Sequence, residues 1–187
     1  MDKLEQIRKD NLTRAGIIES STKTKKVGIV WLSYNVHGNE ANSTEAAMKT
    51  LHALADKSNI KTQEWLKNTL VIIDPSVNPD GRDRYANWYR MTANRWPDAD
   101  PLGREHMEPW PGGRTNHYYF DLNRDWAWQT QIESQLRIVK YNEWLPHIHV
   151  DFHEQGYNSP YYFAPAAKPL HQYLSLIHIS EPTRHTR

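Results

Sequence analysis

His37-Gly38-Asn39-Glu40 stands where an apolar run, residues 27–35, gives way to a helix-forming stretch. A further imidazole, His153, closes a second apolar run much later in the chain. Two imidazoles and one carboxylate are the donor set of an open Zn²⁺ site, in which the fourth position is left for water. The spacing suits that chemistry. A histidine and a glutamate three residues apart at a strand-to-helix turn can both point at one ion, while a distant third ligand ties two strands together. A plainer reading stays open: a turn histidine, a carboxylate favoured at a helix N-terminus, and a histidine satisfied in a core.

The elements that must position these residues can be read from periodicity. Residues 3–11 carry Leu4 and Ile7 at helical spacing, and residues 27–35 (VGIVWLSYN) suit a buried strand. Residues 41–55, rich in Ala, Glu, Met and Leu, predict a helix, and residues 61–67 a shorter one. Residues 70–74 (LVIID) read as a second strand stopped by Pro75. Residues 78–119, dense in Pro, Gly, Arg, Asn, Trp and Tyr, read as a long loop, of the kind that is functional or mobile. A long helix is expected over residues 126–144, ended by Pro146, and a third strand over 148–152. Strands separated by helices imply an α/β fold: a mixed, largely parallel twisted sheet flanked by helices, with ligands gathered at the carboxyl ends of the strands. His37, Asn78 and His153 all fall just past such ends.

Composition narrows the function. The chain has 187 residues, enough for one domain with a sizeable core. A formal net charge of +1 with 24% charged residues gives no electrostatic case for nucleic acid or a membrane surface. Lys23-Thr24-Lys25-Lys26 is short and reads as a solvated loop. Cysteine is absent, so disulfides and thiolate zinc sites are excluded, and any metal must be held by histidine and carboxylate. No apolar run reaches the roughly 18 residues of a membrane span. The polar start of the chain has no signal-peptide pattern, which leaves the compartment open, a secreted or periplasmic parent included.

Three blocks, His37-Gly38-Asn39-Glu40, Asn78-Pro79-Asp80-Gly81 and Asp121-Leu122-Asn123-Arg124-Asp125-Trp126, together with His153, resemble the zinc metallocarboxypeptidases of the carboxypeptidase A/B-like group. The resemblance implies zinc ligands at His37, Glu40 and His153, and a hold on the substrate's terminal carboxylate by Asn123 and Arg124. It also implies that Asp121 orients the first ligand histidine from behind, and that an arginine stabilises the oxyanion formed at the scissile carbonyl. Arg114, ten residues before Arg124, is the preferred candidate for that arginine, and Arg90 is the alternative. His147 and His149 match no motif position and read as structural; Arg82 and Arg84 read as surface residues. Glu154 adjoins a ligand, but strand alternation turns it away from His153.

The function so implied is hydrolysis of C-terminal peptide bonds by a zinc-dependent carboxypeptidase through a metal-activated water, with peptide or protein C-termini as partners. The resemblance places the general base, a glutamate, on a later strand beyond residue 187, so this chain alone is expected to be inactive, and a truncated sheet with an unpaired edge and an uncovered apolar face is expected to leave it poorly stable. Residues 1–173 then form the N-terminal portion of the catalytic domain, incomplete at both ends. Residues 174–187 (LSLIHISEPTRHTR) resemble the translation of a sequencing adaptor and are expected to be non-native. The rivals are an amidohydrolase of the succinylglutamate desuccinylase/aspartoacylase type and a non-catalytic zinc- or peptide-binding pseudo-enzyme.

Overall fold

A computed structural model describes residues 3–156. The chain divides into two compact units at Glu154/Gln155, and every described helix and strand lies in the first. The expected boundary at residue 173 and the tail beyond it lie outside the described residues.

Three parallel strands form the sheet, in the order β2-β1-β3: β1 (Gly28–Tyr34), β2 (Thr69–Asp74) and β3 (Ile148–Phe152). Ser33 pairs with Asp74 on one side and with Asp151 on the other, so all three strands end at one edge. The apolar, β-branched strand sequences meet the demand of a parallel sheet for cover on both faces. The helices α2 (Asn42–Ala55) and α3 (Ile60–Leu66) pack on β1 and β2 respectively. Tyr34 reaches α2 through Thr50 and stacks flat on Phe152, ring centroids 4.3 Å apart. On the other face Trp31 and His149 pack against Tyr141 of α5 (Ile132–Trp144), and α5 carries α1 (Lys3–Arg14) outside it. Val36, Val77 and Leu122 form a small buried cluster just past the strand ends, directly under the loops that bear the chemistry.

Two expectations fail, each for a local reason. The stretch read as loop from residue 78 opens with a helix, α4 (Pro79–Thr92). Asn78 is its N-cap, the side chain accepting from Gly81 N–H at 2.9 Å, and Pro79 takes the first position, where its missing N–H costs nothing. Asn-Pro is therefore a helix start here, and irregular chain begins only at Ala93. The helix expected from residue 126 starts instead at Ile132. The buried Asp125 carboxylate accepts from Thr130 N–H, Thr130 hydroxyl and Gln131 N–H at 2.7–2.9 Å, which holds residues 126–131 in a non-helical path. No helix among the described residues is long and apolar enough to cross a membrane.

Candidate metal centre

Two of the three chemical blocks are anchored just past a strand end by a buried asparagine. Asn35 leaves β1 in the left-handed region (φ 61°), which asparagine tolerates better than most residues. Its side-chain amide donates to the carbonyls of His37, Gly38 and Glu40 at 2.8–3.2 Å, shaping the turn that carries both ligands. Asn78 donates to the carbonyls of Val36 and Arg114, so the α4 cap also grips the two neighbouring loops. Sequence reading missed Asn35; its position at a strand end, two residues before His37, was the available signal.

Three glycines then let those loops close on one another. A Cβ on Gly38 would stand 2.2 Å from the Gly81 carbonyl carbon and 2.4 Å from the Gly113 oxygen. One on Gly113 would stand 2.5 Å from the Gly81 oxygen. No side chain fits at this junction, so it accounts at once for the glycine of His-Gly-Asn-Glu, that of Asn-Pro-Asp-Gly and that before Arg114. Arg84, expected at the surface, instead clamps the last of these loops, donating to the carbonyls of Gly112, Thr115 and Asn116 at 2.9–3.2 Å. Glu108 accepts from the Gly113 N–H and from Asn39 Nδ2, bridging the same two loops.

The result brings His37, Glu40 and His153 together, with one potential ligand atom from each lying within 4.8 Å of the others. Nδ1 of His37 is 2.8 Å from Glu40 Oε1, and Nδ1 of His153 is 3.2 Å from Glu40 Oε2. Donor atoms sharing a tetrahedral ion with bonds of about 2.0–2.1 Å stand roughly 3.3 Å apart. The spacing found is close to that, and the donor set is that of a His₂Glu zinc site, so the residues fit the ion. His37 is 4% exposed and Glu40 13%, whereas His153 is 34% exposed, giving the cluster one open side.

Electrostatics in the metal-free cluster follow from these contacts. Burial pushes the Glu40 carboxyl up, but hydrogen bonds with His153 and His37 and from the Glu154 N–H outweigh it and hold it at about 2. His153 is raised to about 10, chiefly by its hydrogen bond with Asp151 and then by that with Glu40. Asp121 lies behind His37: its Oδ1 is 3.3 Å from Nε2, near enough to pair but out of line for a full hydrogen bond. Its Oδ2 accepts from Arg114 Nε at 3.1 Å, and the Arg114 guanidinium comes within 3.4 Å of His37 Nδ1. Arg90 lies elsewhere, in the last turn of α4, lining a cleft with Asn42, Glu45 and Tyr85.

Asn123 and Arg124 sit in a short 3₁₀ turn (Leu122–Arg124) capped by Asp121. Asn123 accepts from Trp126 Nε1 at 3.0 Å, and the exposed Arg124 donates only to the Asn123 carbonyl among the described contacts. Its guanidinium has no carboxylate partner there. Glu154 is turned to the start of α2, accepting from Ser43 N–H and Asn42 Nδ2. His147 accepts from Ile29 N–H and His149 pairs with Ser33, both away from the cluster.

A family model described as zinc carboxypeptidase matches residues 10–144, a span that holds His37, Glu40, Arg114, Asp121, Asn123 and Arg124 and stops short of His153. No curated protein and no solved structure matches the chain. With the family match covering most of its length, the chain belongs to the zinc carboxypeptidase family.

Proposed function

We propose that this chain carries the metal-holding and substrate-orienting part of a zinc-dependent metallocarboxypeptidase that hydrolyses C-terminal peptide bonds. The observation that carries the reading is the convergence of His37 Nδ1, the Glu40 carboxylate and His153 Nδ1 beside the Arg114 guanidinium. Zn²⁺ held by that set supplies Lewis acidity, polarising a carbonyl oxygen and acidifying water. Arg114, half exposed and already oriented by Asp121, is the group for the developing oxyanion. Arg124, without a carboxylate partner among the described residues, grips the peptide's terminal carboxylate in the planar, two-point manner of a guanidinium, with Asn123 beside it.

No base is assigned within these residues. The carboxylates around the cluster are engaged: Asp121 with Arg114 and His37, Asp151 with His153, and Glu154 with the start of α2. The 187-residue chain is therefore expected to bind zinc without turning over. Two measurements test this. Equilibrium zinc binding to the purified chain should give one ion per molecule, and a chain that binds none removes the reading. The protein encoded at the intact locus, assayed on peptides with free C-termini and on N-acyl amino acids, should hydrolyse the peptides. Cleavage of N-acyl amino acids alone indicates the amidohydrolase, and zinc binding with no hydrolysis the non-catalytic binder. Turnover by the purified 187-residue chain contradicts the expected inactivity.

A further inference from the structure

Each histidine of the cluster has a carboxylate near both ring nitrogens, yet the sequence motifs account for only one of the carboxylates behind them. His37 turns Nδ1 to Glu40 and Nε2 to Asp121. His153 likewise turns Nδ1 to Glu40, and its Nε2 lies 3.0 Å from Oδ2 of Asp151. Asp151 and His153 are two residues apart at the end of β3, so alternation puts both side chains on one side of the strand. Asp151 is fixed in turn by the sheet, paired in register with the buried Ser33 of β1, the central strand.

We propose that Asp151 is the positioning residue for His153, selecting the tautomer that carries its proton on Nε2 and presents Nδ1 to the metal. The inference rests on the metal-centre reading of His37, Glu40 and His153. An imidazole that ligates through Nδ1 must keep its proton on Nε2, and an acceptor placed there fixes both tautomer and ring orientation. His153 needs that help more than His37 does. His37 is walled in at 4% exposure, whereas His153 is 34% exposed, so its ring orientation depends on polar contacts more than on packing. The remaining oxygen of Asp151, Oδ1, is buried without a hydrogen-bond partner. Arg137, buried on α5, interacts electrostatically with Asp74 first and then with Asp151.

The test uses the full 187-residue chain and zinc alone, with affinity measured by competition against a chromophoric chelator. Asp151→Asn keeps the shape but offers Nε2 a weaker, uncharged acceptor. It should lower zinc affinity by roughly 10–100-fold, the usual cost of losing a partner behind a ligand. The unfolding midpoint of the metal-free protein should stay near that of the wild type. His153→Ala is the control, and its loss should be larger than that of Asp151→Asn. In parallel, nitrogen NMR of the zinc-loaded wild type should show His153 bound through Nδ1, with a slowly exchanging proton on Nε2. That measurement needs no variant to fold. Zinc affinity of Asp151→Asn within twofold of wild type, or His153 coordinated through Nε2, overturns the proposal. A wild-type chain that binds no zinc overturns the metal-centre reading itself, and the two failures are distinct.

Discussion

Glu40 sits between two imidazoles, each of its oxygens facing one of them, while Glu154 immediately follows a candidate ligand yet faces the first turn of α2. Two glutamates near one site thus have opposite expected sensitivities. Glu40→Gln removes a charged ligand and should weaken zinc binding by at least about 100-fold, since affinity depends on deprotonated ligands in number and charge. Glu154→Gln keeps an acceptor for the Ser43 N–H and should stay within about threefold of wild type, a single hydrogen bond of this kind contributing about 1 kcal/mol. Chelator competition reads both. Equal losses would place Glu154 in the cluster and displace the present assignment. Alternation along β3 made the orientation of Glu154 legible in advance, because the residue after a strand-end ligand points to the other side.

The loops and caps hold the blocks together more than the strands do. Gly113→Ala forces a methyl group against the Gly81 carbonyl oxygen and the Tyr85 Cβ, 2.5 and 2.6 Å away. Both atoms belong to α4, so neither can yield without moving that helix. Overpacking of this kind costs about 1–3 kcal/mol, so urea denaturation should show an earlier midpoint with zinc affinity reduced at the same time. An unchanged midpoint would mean that the three loops do not meet as described. Asn78→Ala removes the α4 cap together with donors to Val36 and Arg114. It should destabilise by about 1–2 kcal/mol, a typical cap loss, read by the same denaturation. These elements also show where sequence reading stopped short. Pro79 and Gly81 look like loop residues in isolation, yet Asn78 ahead of Pro79 is a helix start. The late beginning of α5 depends on a buried Asp125 whose partners lie five and six residues on, a contact that periodicity does not encode.

At the scale of the molecule, α1 is tied to the chain ahead of β1 by one carboxylate. Asp10, inaccessible to solvent, accepts from the Thr24 hydroxyl, the Thr24 and Lys23 N–H groups and Gln6. The Thr24 hydroxyl foremost lowers its pKa from 3.8 to about 2. A carboxylate held low in the folded state adds stability that is fully present above its unfolded pKa and is lost as pH falls through the folded one. Between pH 4 and pH 2 the wild type should therefore lose more stability than Asp10→Asn does, as followed by circular dichroism. Parallel acid profiles for the two proteins would contradict this. Among the described residues β2 and β3 each pair on one side only, and Leu51, Ile60, Trp65, Leu136, Val139 and Ile148 are at least half exposed. Open strand edges beside exposed apolar side chains favour association. The purified chain is expected to self-associate at micromolar concentration in light scattering, and a monodisperse monomer would refute it.

What the sequence determined by itself is the set of candidate ligands and the order of the three strands. The absence of cysteine left only histidine and carboxylate as ligands, the apolar runs marked the three strands, and the motif blocks marked the residues that meet at the strand ends. Those features are local in the chain, set by residue type and by the period of two or 3.6. What only the tertiary structure decided is which groups face one another: Asn35 beneath the ligand turn, three glycines in contact, Arg114 rather than Arg90 beside His37, and Asp151 behind His153. Each of these depends on how the loops pack over the strand ends, and two of them, the glycine junction and the approach of Arg114 to His37, join segments far apart in the chain. No spacing along the sequence records such approaches.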